Sequence, residues 1–246
     1  MEMTLLGTSG GIPLPGRAQS GILIETYKKK ILLDCGMGIP LRLAEADVKA
    51  EDIDIVCLTH GHLDHIQDLP SLTKASWLSS GTAEYKIITP PNLKKKLINF
   101  WKSVDEYRRT ELKFEMIGVK QNYNYKDEIT ISAFKTKHTN ISQGYEIFNK
   151  GKKVVFTGDT APCEEVKKKA EEADILIHEL SNPKKTDGHT DLKGLISELK
   201  GVDVGKLVIM HFYPPAAEKS DELATTIQKE TGISTTAGED LQKYSI

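Results

Sequence analysis

Three of the chain's seven histidines stand in the stretch CLTHGHLDHIQDLP, residues 57–70. They are His60, His62 and His65, with Asp64 among them. Imidazole nitrogen and carboxylate oxygen are donors that zinc takes at about 2.0–2.2 Å. A lone histidine is most simply read as a capping or hydrogen-bonded residue; the density of this cluster argues for metal. His60 and His62 leave a strand end, and Asp64 and His65 follow at once. The two pairs therefore need not share one ion. Two ions about 3.5–4 Å apart require further ligands and a bridging carboxylate. His138, Asp159 and His211 are suitable residues for that role.

The elements that must position these groups are short apolar runs with helical patterns between them. MTLLGT (3–8), GILIET (21–26), KILLDCG (30–36), IDIVCLTH (53–60) and YKIITP (85–90) read as strands in the first half. ITISAFKTKH (129–138), GYEIF (144–148), KKVVFTGD (152–159), DILIHE (174–179) and KLVIMHF (206–212) follow in the second. Continuous apolar runs predict strands buried on both faces, whereas the alternation of ITISAFKTK predicts a half-exposed antiparallel strand. Helices are expected at IPLRLAEA, LPSLTKASWLSS, APCEEVKKKAEEA, DLKGLISELKG and SDELATTIQKETG. Thr190 and Ser220 are the expected caps of the last two, and Gly201 and Gly232 their stops. NLKKKLINFWKSVDEYRR also reads as helical and could cover a site entrance. The order predicts one α/β domain over 1–246, a four-layer αββα sandwich. His60, His138, Asp159, Glu179 and His211 all fall at strand ends, where α/β folds build their sites.

The composition is that of an ordinary globular protein, 39% hydrophobic and 28% charged, with a net charge of −2. No global basic field calls for nucleic acid. The lysine runs at Lys28–Lys30, Lys94–Lys96 and Lys167–Lys169 read as solvated surface. Cys35, Cys57 and Cys163 are scattered and odd in number, which supports neither a disulfide framework nor a cysteine zinc knuckle. No signal-peptide pattern opens the sequence, and no apolar run nears the roughly 20 residues that span a bilayer. The expected setting is the reduced cytoplasm.

THGHLDH resembles the HxHxDH signature of the metallo-β-lactamase superfamily. The resemblance extends through GTSGG, LLDCG, the lone His138, FTGDT and VIMHF, nearly the whole chain. It implies the metallo-β-lactamase fold with a dinuclear site. One zinc would take His60, His62 and His138, the other Asp64, His65 and His211, with Asp159 bridging. His62 stands where diiron relatives carry glutamate, which favours hydrolytic zinc; manganese or iron remain alternatives.

DILIHELS (174–181) and DGHTDLKG (187–194) are similar to paired motifs of ribonuclease Z and its phosphodiesterase relatives. By that resemblance Glu179 orients His189, which protonates the leaving oxygen or stabilises the phosphorane-like charge; in the mechanism expected on this site, Asp64 takes the proton of the attacking hydroxide. His178 reads as a buried, hydrogen-bonded residue. The glycine-rich GTSGGIPLPGRAQSGILIE agrees with this branch. Met37 departs from it, standing where ribonuclease Z usually has glutamate, and residues 91–118 are too short for the arm that grips transfer RNA. A small or cyclic phosphodiester is thus easier to accommodate than full pre-tRNA, with an RNA 3′ end as the larger alternative. The competing expectations are a lactonase or thioesterase on the same site, and a non-catalytic metal-stabilised RNA-binding protein. Homodimerisation is a further expectation by resemblance.

Overall fold

The computed structural model describes residues 1–81, 83–103, 113–116, 122–125 and 128–246, the strand at 113–116 by its backbone alone. The chain forms two compact units, Met1–Gly118 with Asp240–Ser245, and Val119–Glu239. Each is built on a seven-stranded mixed sheet.

The first unit contains β1 (Glu2–Gly7), β2 (Gly21–Glu25), β3 (Lys30–Leu33), β4 (Ile55–Cys57), β5 (Lys86–Thr89) and β6 (Lys113–Met116) in chain order. The second contains β7 (Asn122–Tyr125), β8 (Ile129–Lys135), β9 (Gln143–Asn149), β10 (Lys152–Phe156), β11 (Ala173–Glu179), β12 (Val204–Met210) and β13 (Thr235–Ala237). The last strand, β14 (Lys243–Ser245), returns to the first sheet beside β1. Both sheets follow one plan. Three antiparallel pairings lead from β14 through β1 and β2 to β3, and three parallel pairings follow through β4 and β5 to β6. The second sheet runs antiparallel from β7 to β10 and parallel from β10 to β13. Parallel pairing needs crossover connections. These are supplied by α1 (Ile39–Glu45), α2 (Leu63–Ile66), α3 (Leu69–Ser80) and α4 (Lys94–Lys102) in the first unit. In the second they are α5 (Glu164–Ala170), α6 (Leu192–Leu199), α7 (Pro214–Ala217) and α8 (Ser220–Thr231). Among the described residues no helix is long and apolar enough to cross a membrane.

The apolar runs form the strands expected, but the ladders stop two to three residues short of several runs' ends. KILLDCG leaves the sheet after Leu33 because Asp34 takes a left-handed φ of 58°, unusual outside glycine. His211 does the same after β12, at φ 64°. Those departures swing the polar ends off the sheet edge. β8 corrects the half-exposed expectation: Ile129, Ile131, Ser132, Ala133 and Phe134 are all buried, because β8 is an interior strand between β7 and β9.

Helix caps also differ. Asp191, not Thr190, caps α6 by accepting a hydrogen bond from Gly194 N at 2.7 Å. The Thr190 hydroxyl donates to Thr160 O instead. Ser220 is the first residue of α8 rather than its cap, and Gly232 ends that helix at φ 80° as expected. The short strands β6, β7, β13 and β14 were not foreseen. Of the helical segment expected from Asn92 onward, Lys94–Lys102 is helical, and residues 104–109 lie outside the described residues.

Candidate metal centre

In the first unit the chain leaves β4 through Leu58 and Thr59 into His60-Gly61-His62, and α2 begins at Leu63. Asp64 and His65 thus sit in the first turn after the loop. The His60 ring lies 4.5 Å from that of His62 and 4.2 Å from that of His65, centroid to centroid. His65 is fully buried and donates through Nδ1 to Asp34 Oδ2 at 2.7 Å. The same carboxylate accepts from Thr59 N at 2.8 Å and from the Thr59 hydroxyl. With its proton committed to Asp34, Thr59 Oγ1 accepts from His60 Nδ1 at 3.0 Å. Asp34 therefore fixes His65 directly and His60 through one hydroxyl. Both rings then present Nε2 on the opposite side, and His65 Nε2 lies 3.6 Å from Asp64 Oδ2. Gly11 passes beside this group, where a β-carbon would make an ordinary contact with Asp64 Oδ2 at 3.5 Å.

The second unit repeats the device. Glu179, the last residue of β11, accepts from His189 Nδ1 at 2.8 Å through Oε1 and from the Ser181 hydroxyl at 2.5 Å through Oε2. Ser181 Oγ then accepts from His211 Nδ1 at 2.9 Å. Thr160 N holds Glu179 Oε1 from the other side at 2.8 Å. His138 follows β8 and donates through Nδ1 to Gly188 O at 2.9 Å. Asp159, buried at the end of the loop after β10, meets both His138 and His211. Its Oδ2 is 3.5 Å from His138 Nε2, and its Oδ1 is 3.1 Å from His211 Nε2. A carboxylate with one oxygen toward each of two histidines has the posture of a bridging ligand. Asp159, His189 and His211 form a cluster whose ligand atoms all lie within 4.8 Å of one another.

These residues fit zinc. Four histidines (His60, His65, His138, His211) have Nδ1 fixed by a hydroxyl, a carboxylate or a carbonyl, which sets the tautomer and turns Nε2 to the ligand side, as metal-binding histidines require. His62 is an exposed residue at the start of α2.

Asp34, Thr59 and Ser181 belong to this centre as well, although they were not among the expected site residues. Each had a signal: Asp34 sits in LLDCG, and Thr59 and Ser181 adjoin expected site residues. Asp34→Ala should weaken zinc binding about 10–100-fold, the usual cost of losing such an orienting partner. Zinc titration against a competing chelator measures it.

His178 is buried, and both its ring nitrogens face acceptors: Glu179 O at 2.7 Å and Glu198 Oε2 at 3.1 Å. Burial by itself lowers its pKa, but the Glu198 carboxylate, helped by Glu179, outweighs that and raises it. The Glu198 carboxylate thus favours the charged form of His178, and its other oxygen accepts from Cys163 N at 2.7 Å. Glu198 lies on the apolar stripe of α6 beside Leu195 and Leu199, a position that itself signals a buried partner. A raised folded pKa contributes stability in full below about 6.5, lost as pH rises through the folded value. Urea unfolding at about pH 6 and about pH 8.5 should show that fall, and Glu198→Gln should flatten it.

The comparisons agree with the geometry. The family model described as "Anti-Pycsar protein Apyc1" matches residues 1–231. A ribonuclease Z of Mycobacterium bovis is 29% identical over 250 residues, covering 90% of this chain and 89% of its own. The metallo-β-lactamase fold protein YhfI of Bacillus subtilis superposes with a TM-score of 0.83 at 23% identity, covering 99% and 98% of the two chains. Zn²⁺-bound PqqB of Methylobacterium extorquens gives 0.83 at 17%, covering all of both. The chain is a metal-dependent hydrolase of the metallo-β-lactamase fold, related to ribonuclease Z and its phosphodiesterase relatives, and it belongs to the anti-Pycsar Apyc1 family.

Proposed function

We propose that the protein is a dinuclear zinc phosphodiesterase acting on small or cyclic nucleotides. In this reading one zinc takes His60, His62 and His138, the other takes Asp64, His65 and His211, and Asp159 is shared. The observation that carries the phosphodiester assignment is the Glu179–His189 pair, joined through Ser181 to the ligand His211 and grouped with Asp159. A hydrolase whose leaving group departs unaided has no need of a carboxylate-held imidazole there. An alkoxide leaving from phosphorus does need a proton donor. The family match supports a cyclic nucleotide as substrate, and the ribonuclease Z relative supports a phosphodiester bond in general.

Bound zinc would lower the pKa of water toward about 7 and neutralise charge on the phosphoryl oxygens. Asp64 accepts the proton of the attacking water. His189, held by Glu179 through Nδ1, gives the proton on Nε2 to the departing oxygen. Asp34 and Ser181 keep the ligand imidazoles in the required tautomer.

Turnover of bis-p-nitrophenyl phosphate and of a panel of 3′,5′-cyclic nucleotides, in metal-free and zinc-loaded protein, tests this. The expected result is zinc-dependent cleavage of both, with the cyclic nucleotides preferred by kcat/KM. Activity on a lactone or thioester panel without phosphodiester cleavage would overturn it.

A further inference from the structure

The second unit holds a cavity of about 480 Å³ with His189 in its lining. That volume lies within the range of about 300–1,000 Å³ typical of small-molecule sites. Ala161, Pro162 and Gly188 are apolar members of its lining, and the exposed Lys137 and Lys185 also line it. We infer that this cavity is the subsite for the uncharged nucleoside attached to the leaving oxygen. The inference rests on the phosphodiesterase reading above, and it adds which part of the substrate lies where.

Three observations converge. First, His189 is the proton donor to the leaving oxygen in that reading, so whatever that oxygen belongs to must lie on the His189 side. The cavity is on that side. Second, its wall is tied to the reaction centre. Gly188 O accepts from the ligand His138, and His189 N donates to Thr186 O at 3.2 Å, so the 186–189 turn is fixed at both points. Third, the polar groups are mixed in sign. Among the described residues the Lys137 and Lys185 ammonium groups make no hydrogen bond or ion pair, and neither does the Asp187 carboxylate, also in the lining. Asp191 is spent on capping α6. Donors and an acceptor in one lining with apolar residues suit the edge of a nucleobase and the ribose hydroxyls. They do not suit the further phosphates of an RNA trailer, because the carboxylates of Asp187 and Asp191 offset the two lysines and leave no net positive charge in the lining.

Two variants and two substrates test the assignment. Ala161→Trp fills the cavity; the Lys185→Ala/Asp187→Ala double variant removes its polar groups from exposed positions. In a 3′,5′-cyclic nucleotide the leaving oxygen belongs to the nucleoside. In thymidine 5′-p-nitrophenyl phosphate it belongs to nitrophenol, and the nucleoside is on the opposite side. Both variants should lose about tenfold more kcat/KM on the cyclic nucleotide than on the nitrophenyl ester, chiefly through KM. Equal losses on the two would overturn the inference.

Binding of a plain nucleoside, uridine, to the zinc-loaded protein by NMR titration decides the matter independently of turnover. Shifts at Ala161, Lys185 and Gly188 are expected in the wild type, with affinity about tenfold weaker in either variant. Absence of uridine binding, or shifts mapping elsewhere, overturns the inference. If the wild type cleaves no phosphodiester, the functional reading fails, while the uridine titration still reports on the cavity. Thermal unfolding of each variant checks that it is folded.

Discussion

Replacing Asp159 with alanine should lower zinc-dependent phosphodiester cleavage by about 10³-fold or more, a loss of about 4 kcal/mol in transition-state stabilisation. It should also reduce the zinc content of the purified protein. The reason lies in the placement of its two oxygens, one beside His138 and the other beside His211. Removing the carboxylate takes a donor from both proposed ions at once and leaves two buried imidazoles without their shared anion. Elemental analysis and steady-state kinetics on the same preparation measure the two effects. Full zinc content with undiminished turnover would refute the bridging role. Asp159→Asn is the informative companion, since it keeps the shape and one oxygen but loses the charge; an intermediate zinc content is expected.

The second large effect concerns His189. His189→Ala should slow cleavage of 3′,5′-cyclic nucleotides by about 10²–10³-fold, within the range for loss of a general acid. Bis-p-nitrophenyl phosphate should suffer far less, because nitrophenoxide departs as a stable anion and needs no proton. Glu179→Gln should reproduce the same substrate dependence more weakly. The amide can still hold a ring nitrogen, but it no longer supports the imidazole electrostatically, and Ser181 must find another acceptor. A uniform loss across both substrates would mean instead that His189 acts by holding the proposed ligand His211 in place, to which it is linked through Ser181. Comparing the two substrates therefore separates proton donation from positioning.

Both predictions draw on a device that occurs once in each unit. A carboxylate at the end of a strand accepts directly from one histidine and, through a hydroxyl, from a second. Asp34 with Thr59 does this for His65 and His60; Glu179 with Ser181 does it for His189 and His211. The parallel extends to the sheets, each of which passes from antiparallel to parallel pairing in the same order. In the first unit the directly held histidine, His65, is an expected zinc ligand. In the second, His189 is the expected acid. The same scaffold thus supports two different uses of an imidazole.

The sequence by itself determined most of the strands and named a candidate donor set at their ends. Periodicity of apolar residues placed ten of the fourteen strands, because a strand buried on both faces must be written as a continuous apolar run. The density of His60, His62, Asp64 and His65 announced metal because local spacing alone brings those side chains together. Other features depended on tertiary structure. The short edge strands β7, β13 and β14 have too few apolar positions to declare themselves; their order comes from neighbours distant in sequence, as when β14 closes on β1. The burial of β8 on both faces contradicts its alternating pattern, since being interior to a sheet is a property of the partners and not of the strand. Asp191 rather than Thr190 capped α6 because Thr160 O claimed the threonine hydroxyl. Asp34, Ser181 and Glu198 are unremarkable letters until the fold brings an acidic or hydroxyl oxygen within about 3 Å of an imidazole twenty or more residues away. A sequence can declare which groups hold a metal, because ligands are recognised by type and spacing. Which groups hold the ligands depends on hydrogen bonds between residues far apart in the chain, and only the folded structure decides those.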